Sequence, residues 1–409
     1  MFGIFNRKEE EERARSEQRL PPGQALTSKF PVLHYGHVPS VDLAKWDFKI
    51  WGEVEKPLRL TWEEVNRGFD EIGANHNAYT TPELTALYAS VLPEYAGEAI
   101  DRLSDLLDPA LREEDFETER KVILEEIAMC EDEPDQRLCE AATALHFGSH
   151  PLGRRVMGSR QTVSRMTREA MLDHFRRYYG PGNAVLAMTG RMDFGRLVER
   201  ASGRLGEWKP AEAVRRDPPR RFEPRRQAIV DPRLNRTYVM GIMPAPHALD
   251  DRRFAARVLA DVIGDSDGSR LYWSLIDKAV AEDAELGFTP YDGTGCFGLF
   301  LVCDPDRADE AMRLALDELR RVRHDLDEAE LSRARSKLAS AVVLAGESPL
   351  GRLNAIGMQW AYRSPYRSVE ADLAIVERMT LDDLRAVMRD FPFEPLSLVS
   401  LGPDAAPRV

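Results

Sequence analysis

The 409-residue chain repeats itself, and that repeat constrains its fold more than any other feature. MTREAMLDHFRRYYGPGNAVLAMTG (166–190) parallels MTLDDLRAVMRDFPFEPLSLVSLGP (379–403). Each segment opens on Met-Thr, runs as a helix and continues into a short apolar strand ending in glycine. Met166 and Met379 lie 213 residues apart, and Gly190 and Gly402 lie 212 apart. Glu98-Ala99 and Glu310-Ala311 open another helix pair at 212, and residues 113–126 match 328–341 at 215, with Arg120 over Arg335. Several segments matched in one order at nearly constant spacing indicate a duplicated unit. Ile100, Leu103, Leu106 and Leu107, and likewise Ala311, Leu314, Leu316 and Leu319, place an apolar stripe on one face of a matched helix. Strands such as AVLAMTG and LFLVC are expected beneath the helices. The class that follows is α+β: two duplicated lobes, each a sheet covered by helices. Residues 210–226, rich in Pro and Arg, resist helix and strand and are expected to link the lobes.

The duplication is uneven. Residues 234–283 read as a strand, RTYVMGIMP, and two helices, RRFAARVLADVIG and SRLYWSLIDKA. At a spacing of 212 their counterparts fall at 22–71, where no matching helix pair is written. The first lobe is therefore expected to lack the opening third of its repeat and to be preceded by a foreign head rich in loops and strands. The expected boundaries are a head at 1–65, a truncated first lobe at 66–209, the linker at 210–226 and the second lobe at 227–409. Residues 1–18 read as a charged helix. Trp46, Phe48, Ile50 and Trp51 read as a strand that patches part of the gap.

Composition narrows the function class. A net charge of −13 disfavours nucleic acid as a partner. No run of about 18 apolar residues exists, so no membrane span is expected, and the N-terminal apolar run is too short for a secretory signal. Cys130, Cys139, Cys296 and Cys303 form no CxxC pair and suggest neither a disulfide framework nor a zinc ribbon. A cytoplasmic location follows as the expectation.

Two segments carry a family resemblance. GANHNAYTTPELT (73–85) and ERKVILEEIAMCED (119–132) resemble the first lobe of M16 peptidases, the insulinase and mitochondrial-processing-peptidase family, and the resemblance runs over about residues 66–405. In that family a helix bearing HxxEH lies upstream of both segments and supplies two zinc ligands and a general base. This sequence contains no HxxEH. By motif match, Glu126 stands at the third zinc ligand and Glu119, seven residues earlier on the same helix face, at its supporting acid. Their second-lobe counterparts are Ala341 and Ala334. The resemblance thus implies an ancestral zinc site that is incomplete, and no cofactor is expected. Asn77, Ala78, Tyr79 and Thr80 match the strand that borders the family's active site, which implies that they bind extended peptide. An Arg and a Tyr seven apart that contact substrate in active relatives would fall at Ile276 and Asp283, so that pair is missing too.

The implied function is a degenerate, catalytically inactive M16 peptidase-like clamshell. It would hold peptide, or join another M16-like chain in a homo- or hetero-oligomer. An alternative is a zinc-dependent endopeptidase whose missing ligands come from a partner or from His34 and His37. The head carries a second resemblance. RLPPGQALTSKFPVLHYGHVP (19–39) and WDFKIWGEVEKPLRLTWEE (46–64) resemble the N-terminal edge of sulfite-oxidase-like molybdopterin oxidoreductases. No Cys precedes Cys130, so molybdopterin is not expected. The two resemblances meet near residues 61–73, which implies a fusion; an oxidoreductase accessory module or a non-functional fusion product are the remaining readings.

Overall fold

The computed structural model describes residues 67–404, except 108, 110, 212–222 and 266, together with two short strands nearer the N-terminus. Met1–Glu64 and Val65–Val409 are two compact units. In the first, β1 (Phe48–Ile50) and β2 (Leu58–Leu60) pair antiparallel with Phe48 opposite Leu60. The charged helix expected at 1–18, His34 and His37, and the core of the linker lie outside the described residues.

The second unit holds both repeats. Lobe one runs β3 (Asn75–Thr80), β4 (Thr85–Ser90), α1 (Ala96–Leu106), α2 (Glu113–Asp132), α3 (Pro134–Phe147), α4 (Arg160–Arg165), α5 (Arg168–Tyr178) and α6 (Phe194–Leu205). Lobe two runs β5 (Arg226–Val230), β6 (Thr237–Ala245), α7 (Arg253–Gly264), β7 (Asp283–Pro290), β8 (Gly295–Cys303), α8 (Ala308–Asp325), α9 (Glu328–Glu347), α10 (Pro349–Ala361), α11 (Val369–Arg378), α12 (Leu381–Asp390) and β9 (Ser397–Gly402). SRLYWSLIDKA forms only a short helical segment, with a π-turn at Tyr272–Ile276. Arg226, expected in the linker, already belongs to β5, which pairs parallel with β9.

The matched segments form matched elements. The Thr167 side chain accepts from the Ala170 amide at the start of α5, and Thr380 forms a capping box with Asp383 at the start of α12. Arg120 donates to the Met166 carbonyl, and Arg335 donates to the Met379 carbonyl. The paired arginines thus tie the long helix of each repeat to the residue just before the threonine cap.

The sheets differ. Lobe two has five strands in the order β5-β9-β6-β8-β7. Strand β6 lies antiparallel to β8 on one side, with Gly241 opposite Leu299, and to β9 on the other, with Gly241 opposite Leu398. One face of this sheet carries the main core, built with α7, α8, α9 and α12 around Leu259, Ile263, Phe297, Met312 and Leu384. Among the described residues lobe one has only the hairpin β3–β4, with Asn77 opposite Tyr88. Residues 184–189, expected as the strand AVLAMT, form no strand. The reason lies in β6: its counterpart would sit between β4 and residues 185–190, and no such strand is present among the described residues. A strand that loses its lateral partner loses its ladder of hydrogen bonds, and Val185 and Leu186 are exposed.

The lobes are also joined by reciprocal helices. α3 of lobe one packs on the second face of lobe two's sheet, where Leu138 and Ala142 meet Ile242, Cys296, Val399 and Leu401 in one buried cluster. Arg137 on α3 bonds Asp231 at 2.8 Å, and the His146 Nδ1 lies 3.3 Å from the Ser397 hydroxyl. α10 of lobe two reaches back to lobe one, where the Thr189 hydroxyl donates to the Pro349 carbonyl at 2.8 Å.

Candidate functional site

α2 begins with Glu113, Glu114 and Asp115, whose negative charges suit the positive end of the helix dipole. Arg112 holds its first turn by bonding Asp115 at 2.6 Å. Phe116 and Ile127 are the buried residues of the helix. Glu119 and Glu126 lie about 20° apart around the axis, because seven residues are nearly two turns. Both are exposed, and neither has a hydrogen-bond or ion-pair partner among the described residues. The Cys130 thiol, one turn beyond Glu126, is pushed up by burial first, then by the negative charges of Glu140 and Glu126.

Glu119 and Glu126 do not by themselves make a zinc site. A zinc site needs at least three protein ligands, and among the described residues no group of three or more His, Cys, Asp or Glu side chains is arranged to hold a metal ion. His146 and His150 have the four-residue separation that two ligands on one helix require. The helix ends between them, however, at Phe147, and Gly148 turns the chain with φ +56°. His146 is half-buried against lobe two, and burial pushes its imidazole down to about 4. His150 accepts from the Leu152 amide at 3.2 Å and so caps the turn Pro151–Gly153. The four cysteines are free thiols.

β3 brings Asn77, Ala78, Tyr79 and Thr80 together in one extended run. All four are exposed, and of the whole strand only His76 is half-buried, stacked on Phe69 with centroids 4.1 Å apart. β3 bonds β4 on one side and has no strand on the other among the described residues. It is therefore an edge that presents backbone donors and acceptors at alternate residues. The Asn77 carbonyl oxygen of the side chain accepts from the Ala78 amide at 2.8 Å, and Tyr79 leans on Tyr88 at 6.3 Å. Such an edge can take an added strand whatever its sequence. Its lobe-two counterpart, in β7, alternates exposed and buried positions and keeps Leu286 in the core.

Ile276 and Asp283, where the Arg and Tyr would fall, close the π-turn and open β7 respectively. Ile276 packs against the main core. One residue that sequence reasoning passed over is Glu83, in the turn between β3 and β4. Its carboxylate accepts from the Tyr362 hydroxyl at 2.6 Å and from the Asp292 amide at 2.8 Å, both in lobe two. The signal was available in the repeat, since Tyr362 and Phe147 share one position at a spacing of 215. Among the described residues no helix is long and apolar enough to cross a membrane.

The comparisons with known proteins agree with this architecture. The model of the insulinase peptidase family M16 matches residues 59–160, and that of the peptidase M16 inactive domain matches residues 165–338. An uncharacterized zinc protease of Streptomyces coelicolor is 30% identical over 358 residues, covering 83% of this chain and 76% of its own length. An uncharacterized zinc protease of Mycobacterium tuberculosis is 31% identical over 357 residues, with 84% and 80% covered. The crystal structure of a peptidase M16 inactive domain from Pseudomonas fluorescens superposes with a TM-score of 0.78 at 18% identity, covering 85% of each chain. The oxidoreductase resemblance of residues 19–65 finds no support in these comparisons.

Proposed function

Because the chain belongs to the M16 peptidase family, we propose that it is a catalytically silent member that holds extended polypeptide on β3. The observation that carries this reading is the pairing of an open strand edge at Asn75–Thr80 with a third-ligand position, Glu126, that stands alone. Strand addition needs only the backbone of β3, which the chain retains. Hydrolysis needs two further ligands and a base that its 409 residues do not write in the family's form. In this reading Asn77, Ala78, Tyr79 and Thr80 bind the peptide, while Glu119 and Glu126 are remnants of the metal site.

Assembly with another M16-like chain belongs to the same proposal. Val185, Leu186, Leu344 and Trp360 are exposed apolar side chains of the kind that a subunit contact covers.

The test is hydrogen exchange with and without an unfolded, extended polypeptide such as reduced carboxymethylated casein. The amides of residues 75–80 are expected to slow when the polypeptide is added. Unchanged exchange there, with protection appearing elsewhere, overturns the assignment of β3.

A further inference from the structure

The edge proposed to hold peptide belongs to a sheet of only two strands, and such a hairpin is marginal by itself. Something outside the sheet must set its position. The two hairpin turns of the repeat are homologous at a spacing of 210. In lobe one the Thr81 amide donates to the Leu84 carbonyl at 2.8 Å, and in lobe two the Tyr291 amide donates to the Thr294 carbonyl at 2.7 Å. Thr81 tightens its turn further, since its hydroxyl accepts from the Glu83 and Leu84 amides at 3.3 and 3.1 Å. The Glu83 side chain is thus presented from a closed turn.

That side chain joins three elements. One carboxylate oxygen accepts from the Asp292 amide in the turn of lobe two, and the other accepts from the Tyr362 hydroxyl at the C-terminal end of α10. The opposite turn cannot return the contact, because the residue matching Glu83 is Gly293, with φ +67° and no side chain. Reciprocity is instead carried by the helices. Phe147, at the end of α3, meets Tyr291 edge-on at 5.9 Å, while Tyr362, in the matching position of α10, meets Glu83. Hydrogen bonds to a charged acceptor are the stronger kind, and here both donors come from the intact lobe.

We propose that Glu83 is a positioning residue through which lobe two sets and rigidifies the β3 edge, in a lobe whose hairpin has no further strand beside it among the described residues. The proposal rests on the reading of β3 as a peptide-holding strand, but its test does not need peptide. Hydrogen exchange is measured on the full chain and on the variants Glu83→Ala, Glu83→Gln and Tyr362→Phe. In Glu83→Ala the amides of 75–80 and 85–90 are expected to exchange at least about tenfold faster, as the loss of two hydrogen bonds to a charged acceptor implies. Glu83→Gln, which keeps an oxygen acceptor but loses the charge, and Tyr362→Phe, which loses only one hydroxyl, are each expected to fall between the parent and Glu83→Ala. The amides of β6 and β8 are expected to be unchanged. Parent-like exchange in Glu83→Ala overturns the proposal, and so does an equal acceleration in β6 and β8, which would mean general destabilisation.

Carboxymethylated casein then separates the two claims. If the parent protein binds it, Glu83→Ala is expected to bind more weakly and Glu83→Gln to recover in part. If the parent shows no binding, the peptide-holding reading fails while the exchange result still decides the role of Glu83.

Discussion

Leu138 and Leu353 occupy the same place in the two repeats, one on α3 and one on α10, yet Leu138 is fully buried and Leu353 only half-buried. The next pair down the helix face is Ala142 and Gly357, buried and half-buried; the next is Leu145, half-buried, and Trp360, which is 63% exposed. The helices are alike. What differs is the sheet each one meets, because α3 lies on a five-stranded sheet and α10 meets the turn of a hairpin and an irregular segment. The gap in lobe one is therefore felt in lobe two, through the helix that crosses to it. Of lobe one's fully buried residues, only Leu138 and Ala142 belong to either contiguous core, and they do so on lobe two's sheet.

The largest expected effect sharpens that comparison. Leu138→Ala is expected to cost about 2–5 kcal/mol, because a sealed site pays for both lost burial and a cavity. Urea denaturation followed by tryptophan fluorescence measures it, and a cost below that of Leu353→Ala would break the comparison.

The next effect is on pH. His146 lies at the α3 seat with its pKa held at about 4 by burial, below the ordinary imidazole value of 6.5. The folded state favours the neutral ring, so its contribution is fully present above pH 6.5 and is lost as pH falls from there towards 4. A gap of that size corresponds to at most about 3–4 kcal/mol, and to less for a half-buried ring that solvent partly screens. The matching residue in α10 is Ala361, so the effect belongs to one seat alone. Denaturation midpoints at pH 7 and pH 4.5 are expected to differ more in the parent than in His146→Gln; an equal difference would remove the histidine from the account.

The smallest effect is at the open seat. Leu353→Ala is expected to cost roughly 1 kcal/mol, since a half-buried side chain has less to lose. A cost equal to that of Leu138→Ala, read by the same denaturation, would mean that α10 is sealed as tightly as α3.

The duplication itself was legible in the sequence because it is written locally. The Met-Thr caps, the paired Arg120 and Arg335, and the 20-residue helices α2 and α9 follow from residues close in the chain. The expectation of a missing third rests on the same local comparison of one repeat with the other. The failure at 184–189 has a different origin. Its apolar residues read as a strand, but a strand exists only beside another, and pairing is a long-range property that local pattern does not encode. The crossing of α3 onto lobe two and the Glu83 contact were hidden likewise, since each joins residues far apart in the chain, 94 for Arg137 and Asp231 and 279 for Glu83 and Tyr362. At the candidate site, the place of Glu126 and the missing HxxEH were both read from the sequence, whereas the contacts of His146 and His150 became visible only in three dimensions.

The central claim is that an M16 scaffold has kept its strand edge and lost its metal centre. Metal analysis of the purified full chain, combined with a cleavage assay on reduced carboxymethylated casein, tests it most directly. The account predicts no stoichiometric zinc and no chelator-sensitive cleavage. Stoichiometric zinc together with cleavage that a chelator abolishes would contradict it.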